Sequence, residues 1–96
     1  MSGTEQDLIG RVVESRAGRD RGRSFLVVAV EDAQFVFVAD GCLRKLEKPK
    51  RKKLKHLRLQ PATAQTIRVK LLEHKQVFDA EIRNCLLNLG YNVEQS

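Results

Sequence analysis

Two apolar stretches flank a basic one near the start of the chain: Ile-Gly-Arg-Val-Val-Glu-Ser at residues 9–15, Arg-Ala-Gly-Arg-Asp-Arg-Gly-Arg-Ser at residues 16–24, and Phe-Leu-Val-Val-Ala-Val at residues 25–30. The two outer stretches are rich in β-branched residues, which favour strands. The middle stretch contains Gly, Arg and Asp and cannot pack as the interior of a strand. The pattern therefore predicts a strand, a loop and a second strand.

Further short strands are predicted on the C-terminal side of this unit. Phe35–Ala39 is another apolar run, and the Asp40-Gly41 pair after it tolerates the positive φ angles of a two-residue type I′ hairpin. We expect a short strand at Cys42–Leu46 to pair back across that hairpin. The leucines of the segment Leu54–Leu59 indicate a last strand with one partly buried face. Because strong twist curls five short strands on themselves, we predict a small barrel.

The apolar pattern changes to a helical period after Pro61. Phe78, Ile82, Cys85, Leu86 and Leu89 recur at spacings of three and four residues. Asp79 is suited to the N-cap of this helix, and Gly90 is suited to closing its C-terminus. These signals together predict a helix at this place.

The segment Ala64–His74 fits a strand and a helix almost equally well, and we favour a helix. With 96 residues, the chain is below the usual size of two domains. We therefore expect one β-barrel at residues 8–60, followed by a C-terminal helical extension at residues 61–96.

The net charge of +6 arises entirely in the first part of the chain. Residues 1–60 contain 14 Lys and Arg against 8 Asp and Glu, whereas residues 61–96 contain 4 of each. A positive field on one part of a molecule favours a polyanionic partner, either nucleic acid or an anionic membrane surface. The membrane fits less well, because these cations lie on a predicted loop and strand and not on an amphipathic helix.

The densest cationic segment is Lys48–Arg58, which we call the basic run. Eight of its eleven residues are basic, His56 included, and none is acidic. Such a cluster binds phosphates favourably because binding releases condensed counterions. The alternative is a solvated loop or a nuclear-localisation-like tract. Leu54 and Leu57 favour binding, because they fix the run on a folded body.

A second cationic segment is Gly18–Arg23, which we call the Arg loop. Its two glycines allow a tight left-handed backbone and close approach of a ligand, and its three arginines present planar groups suited to phosphates or base edges. A plain basic turn is the alternative interpretation. We expect Asp20 to pair with a neighbouring Arg and so to order the loop.

Several of these segments, taken in order, resemble a known motif. They are similar to the KOW motif of bacterial KOW-domain RNA-binding proteins, a group related to an archaeal and eukaryotic large-subunit ribosomal protein family. The segments that carry the resemblance are Gly10–Val13, Ser15–Arg23, Phe25–Val28, Ala39–Leu46 and Pro49–Leu57. The resemblance covers about residues 8–58. It implies an SH3-like barrel and RNA binding, often on a ribosome, with the loop after the first strand as a usual contact.

Catalysis is not expected from this sequence. Cys42, His56, His74 and Cys85 are the only soft metal-ligand candidates, and they form none of the close pairs typical of a structural zinc site. Cys85 lies on the apolar face of the predicted helix and fits a small core residue better than a reactive thiol. The phosphate-binding pattern GxxxxGK[ST] is missing. We therefore expect no enzyme, no cofactor, no metal and no small-molecule substrate.

The expected compartment is the cytoplasm. The polar start Met1–Asp7 lacks the apolar centre of a signal peptide, and no apolar run has the length needed to span a bilayer. Two cysteines in a chain without secretory features make a disulfide framework improbable, so both are interpreted as reduced thiols.

These observations together predict a protein that binds structured RNA through one continuous basic face formed by the Arg loop and the basic run. The resemblance implies that the target is ribosomal RNA or the ribosome and that ribosomal proteins are additional partners, and a membrane is not expected. The alternative is a protein-interaction module of the transcription or translation machinery. The expected RNA contacts are Arg16, Gly18, Arg19, Arg21, Gly22, Arg23, Arg44, Lys45, Lys48, Lys50, Arg51, Lys52, Lys53, Lys55, His56 and Arg58.

Overall fold

The structure is a computed structural model and describes residues 7–93. Two parts of the sequence predictions lie outside the described residues. These are the first six residues of the polar start and the last three residues of the expected helical extension.

Five strands form one antiparallel sheet with the order β4-β3-β2-β1-β5. The strands are β1 (Arg11–Ser15), β2 (Ser24–Val30), β3 (Phe35–Ala39), β4 (Lys50–Lys53) and β5 (Leu57–Thr63). A short 3-10 turn at Leu54–His56 connects β4 with β5. The prediction of a mainly β fold with five strands and C-terminal helices is confirmed. The sheet itself is open: β4 and β5 are its two edges, and no strand pairing joins them within residues 7–93.

The predicted fourth strand at Cys42–Leu46 is wrong, as is the two-residue hairpin at Asp40-Gly41. The Asp40 carboxylate accepts hydrogen bonds from the backbone N–H groups of Cys42 and Arg44, at 2.9 and 2.8 Å, and this folds the segment into a loop. The strand that pairs with β3 begins instead at Lys50, within the basic run. Four consecutive cations have a low strand propensity, but they are tolerated in an edge strand, where Lys50 and Arg51 are exposed and Lys52 pairs with an acid.

The sheet buries apolar side chains on both faces. One cluster contains Val13, Phe25, Val27, Val36 and Leu57, which come from β1, β2, β3 and β5. Ile9 before β1 completes this cluster, and Leu8, Leu54 and, from the first helix, Leu71 pack against it. The burial of Leu57 and the partial burial of Leu54 agree with the prediction that leucines fix the basic run on the folded body.

The other face of the sheet is covered by two helices, α1 (Gln65–Leu72) and α2 (Asp79–Asn88). Both predicted helices are confirmed. Ile67 of α1 and two residues of α2, Ile82 and Leu86, share a cluster with Val12 and Leu26 of the sheet, and Cys85 packs against its rim. The helices and the strands therefore share a core, and the expected boundary after residue 60 falls within β5.

The ends of α2 correct one prediction and confirm another. Phe78 occupies the N-cap, and its N–H donates to Glu81 at 2.8 Å, whereas Asp79 is the first helical residue. The Asp79 carboxylate instead accepts a hydrogen bond from the backbone N–H of Leu46 at 2.8 Å. Gly90 ends the helix as predicted, since the N–H groups of Gly90 and Tyr91 donate to the carbonyls of Leu87 and Leu86.

Gly41 lets α2 approach the sheet closely. Its φ is +76°, and a Cβ at this position would lie 2.1 Å from the carbonyl oxygen of Asp79. Any larger residue therefore requires the first turn of α2 to move away from the sheet.

We predict that Gly41→Ala destabilises the protein by about 3 kcal/mol or more, because the left-handed backbone penalty and a backbone clash add together. Gly90→Ala is the matched control, since Gly90 also has a positive φ but has no atom within 4 Å of the added Cβ. Its expected cost is about 1–2 kcal/mol. Urea denaturation of both variants measures the difference, and equal costs would contradict this account of Gly41.

Candidate nucleic-acid interface

The Arg loop is a well-ordered turn between β1 and β2. Its backbone is fixed by hydrogen bonds from the N–H of Gly22 to the carbonyl of Ser15, at 2.8 Å, and from the N–H of Arg23 to the carbonyl of Asp20, at 2.9 Å. The two glycines, Gly18 and Gly22, have φ angles of +78° and +86°, as their predicted role requires. The side chains of this loop therefore project from a fixed backbone.

Asp20 joins the Arg loop to two other segments of the chain. Its side chain is 9% exposed, and its Oδ2 lies 3.4 Å from Nη2 of Arg44 and 3.8 Å from Nζ of Lys52. Lys52 Nζ also donates to Oγ of Ser15 at 3.2 Å. The prediction that Asp20 pairs with a neighbouring Arg is therefore wrong, because its arginine partner is Arg44 of the loop after β3.

Asp40, at the end of β3, also joins separate segments of the chain. Its side chain is fully buried, and its Oδ2 accepts a hydrogen bond from Nε of Arg23 at 2.5 Å. Its other oxygen holds the backbone of the loop that carries Arg44. Asp20 and Asp40, with their cationic partners Arg23, Arg44 and Lys52, are called the aspartate network below.

The Arg loop and part of the basic run lie side by side. Besides the contact between Asp20 and Lys52, the N–H of Arg16 donates to the carbonyl of His56 at 2.8 Å. The strand pairing agrees, because Ser15 at the end of β1 faces Leu57 at the start of β5. The two cationic segments that the sequence suggested as one face are therefore neighbours at one end of the sheet.

Part of the basic run lies on the other face of the sheet. In the pairing of β3 with β4, Arg51 faces Phe37 and Lys53 faces Phe35, whereas Lys52 faces Val36, whose side chain is buried in an apolar cluster. Because side chains alternate along a strand, Arg51 and Lys53 project away from Lys52 and from the aspartate network. The expected single face therefore does not contain the whole run.

Arg51 makes its own set of contacts on that second face. Its Nε and Nη2 donate to the two carboxylate oxygens of Glu31, at 2.9 and 2.7 Å. Its guanidinium carbon lies 3.8 Å from the centre of the Phe35 ring. The hydrogen bond from Arg51 holds the pKa of Glu31 below its usual value, and Glu31 in turn raises the pKa of Arg51. Glu31, Phe35 and Arg51 are called the Arg51 platform below.

Most of the remaining predicted contact residues are cations without an acidic partner. Within residues 7–93, the following side chains have no carboxylate oxygen within 4.0 Å: Arg16, Arg19, Arg21, Lys45, Lys48, Lys50, Lys53, Lys55 and Arg58. His56 is exposed next to them. These groups supply the net positive field, whereas Arg23, Arg44, Arg51 and Lys52 are held by acids. The charged side chains of β4 also discourage pairing with the edge of another sheet.

Sequence reasoning missed the roles of Asp40, Glu31 and Phe35. Asp40 was interpreted as part of a turn because an Asp-Gly pair is a turn signal, and a buried carboxylate gives no signal of its own. The contact of Glu31 and Phe35 with Arg51 depends on the register of β3 and β4. The sequence prediction puts the fourth strand at Cys42–Leu46, so it cannot give that register.

Three further features of the described residues concern metal ligands, cysteines and helix length. Between Asp7 and Val93, no group of three His, Cys, Asp or Glu side chains is arranged to hold a metal ion. Cys42 is exposed, and Cys85 is partly buried, which raises the pKa of its thiol. No helix in the described range is long and apolar enough to cross a membrane.

Comparison with known proteins adds no relative. No family model matches the sequence, and a search of curated proteins finds no match. The resemblance to KOW proteins therefore remains a prediction from the quoted motifs.

We predict that the buried carboxylate of Asp40 is required for stability. Asp40→Ala leaves two backbone N–H groups and the Arg23 guanidinium without their acceptor, at an expected cost of about 3 kcal/mol. Asp40→Asn retains an oxygen for the two backbone N–H groups but sets its NH2 group against the Nε–H of Arg23, so we expect a smaller cost of about 2 kcal/mol. Thermal and urea denaturation measure both variants. An equal loss in both would show that the backbone hydrogen bonds of Asp40 contribute nothing.

Proposed function

We propose that this protein binds structured RNA, mainly through phosphate contacts, with a basic face formed by the Arg loop and the adjoining part of the basic run. The single observation that carries the proposal is the contact of Asp20 with both Arg44 and Lys52, which keeps the Arg loop beside the run. Cations held on a fixed backbone lose less conformational freedom on binding than cations on a free tail.

The proposal depends on the cations that remain free of acids. Arg19 and Arg21 are exposed on the ordered Arg loop, and Lys55 and Arg58 are exposed at the adjoining end of the basic run. Their charge is directed to solvent, where a phosphate backbone can replace the condensed counterions. The few aromatic residues, 5% of the chain, favour backbone and shape contacts over an open surface for stacking many bases.

RNA is favoured over other polyanions by the resemblance to KOW-domain proteins. The same resemblance supports the finer interpretation of the fold as an SH3-like barrel, as well as a place of action on ribosomal RNA or the ribosome in the cytoplasm. The five antiparallel strands, four of which contribute to one apolar cluster on one face of the sheet, are compatible with that interpretation. We further propose that the protein acts by binding and not by catalysis.

A second candidate function is protein interaction within the transcription or translation machinery. It is favoured by exposed apolar side chains on the helical side of the molecule, among them Phe78, which is 56% exposed, and Leu89, which is 45% exposed. Large apolar groups in solvent mark interaction surfaces when they are contiguous. This candidate predicts a protein partner that stays bound after nuclease treatment.

The decisive test of RNA binding compares two double variants with the same change of charge. Arg19→Gln with Arg21→Gln removes two free cations of the Arg loop. Lys70→Gln with Lys75→Gln removes two cations from α1 and the segment that follows it, where they pair with Glu81 and Glu73. We expect the first pair to lower the affinity for a folded RNA hairpin about tenfold at low salt and to reduce the log–log salt slope by about 2. Arg23 is retained, since its removal would leave Asp40 buried without a cation.

The control pair should leave both the affinity and the salt slope close to those of the unaltered protein. Filter binding or fluorescence anisotropy over a series of salt concentrations measures both quantities. An affinity that does not change with salt, or equal losses in the two double variants, would refute the proposed basic face.

A further inference from the structure

The Arg51 platform is a preformed planar cation. Two of the guanidinium nitrogens are held by Glu31 at 2.9 and 2.7 Å, and one face of the guanidinium lies on the Phe35 ring at 3.8 Å. A distance of 3.8 Å from the guanidinium carbon to the ring centre is a van der Waals contact and lies within the range of a cation–π interaction. The side chain is thus fixed in both position and orientation, although it belongs to an exposed edge strand.

Half of the Arg51 side chain is exposed to solvent. Phe35 contacts one face of the guanidinium, and Glu31 occupies the edge formed by Nε and Nη2. Neither contact uses Nη1 or the face opposite the ring. Lys53, which lies 5.7 Å from the centre of the same ring, has no carboxylate partner among residues 7–93.

The occupied edge decides what this cation can bind. An arginine can grip a phosphate with Nε and Nη2 or with Nη1 and Nη2, and Glu31 occupies the first of these two edges. A phosphate is left with the second edge, where the negative charge of the bound Glu31 carboxylate opposes it. A flat aromatic ring needs only the face opposite Phe35, and guanidinium planes stack on unpaired bases in RNA recognition.

We propose that the face of Arg51 opposite Phe35 stacks on an unpaired base of the bound RNA, so that the base, Arg51 and Phe35 form three stacked layers and Lys53 contacts a neighbouring phosphate. This inference rests on the proposed RNA-binding function and adds a preference within it. The protein binds helical RNA by its phosphates and additionally selects RNA that carries a bulged or looped-out base near the helix.

The test uses two RNA hairpins of equal length, one fully paired and one with a single bulged 2-aminopurine. The measured quantity is the ratio of their affinities in fluorescence titrations. The unaltered protein should bind the bulged hairpin about tenfold more tightly and should quench its 2-aminopurine fluorescence, since one stacked base contributes a factor of this order.

Two variants that do not change the net charge should abolish the preference for the bulged hairpin. Arg51→Lys keeps the charge but loses the plane, and Phe35→Leu keeps an apolar side chain but loses the ring under Arg51. Both should reduce the affinity ratio to about one and remove the quenching. The matched control is Arg83→Lys on α2, which should retain the tenfold ratio.

The outcomes separate the two proposals. If the unaltered protein binds neither hairpin in a salt-dependent manner, the proposed function fails. If it binds both hairpins equally, or if Arg51→Lys retains the preference, only the base-stacking site is overturned. Adenosine monophosphate serves as the remaining probe. If Arg51→Lys weakens the binding of adenosine monophosphate as much as it weakens the binding of the bulged hairpin, the site recognises a free nucleotide, and the inference about RNA is overturned.

Discussion

The placement of two buried aspartates is the constraint on which the rest of this structure depends. A chain of net charge +6 holds the Arg loop, the loop after β3 and the edge strand β4 close together, and their like charges repel one another. Asp20 and Asp40 are buried and offset that repulsion, because each pairs with cations from segments that are distant in sequence. These ion pairs hold the three segments together, and the cations without an acidic partner remain exposed to solvent.

The alternation of β4 divides the basic run between two surfaces with different chemistry. Lys52 turns toward the aspartate network, beside the free cations of the Arg loop, where the arrangement suits a phosphate backbone. Arg51 turns toward Phe35 and Glu31, where a planar cation is held by one face and one edge. Because β4 is an edge strand, an RNA that passes around this edge would meet both surfaces.

The sequence is informative where burial follows a regular period and uninformative where charge controls the structure. The apolar runs of β1, β2 and β3 and the helical period of α2 predict those elements correctly. β4 is missed because four cations resemble a loop, and Asp40 is misread because its buried role depends on Arg23, 17 residues away. The adjacency of the Arg loop and the run can be expected from strands that meet in one sheet, whereas the Arg51 platform requires the register of β3 and β4.

The most direct test of the central claim is an NMR titration of the isotope-labelled protein with a folded RNA hairpin, observed through its backbone amides. The account predicts that amides of the Arg loop and of the segment Lys50–His56 shift together along one binding curve, while those of α2 stay unchanged. Shifts confined to one of the two cationic segments, two binding curves with different affinities, or shifts centred on α2 would contradict the claim that the aspartate network holds these segments together so that one RNA contacts both.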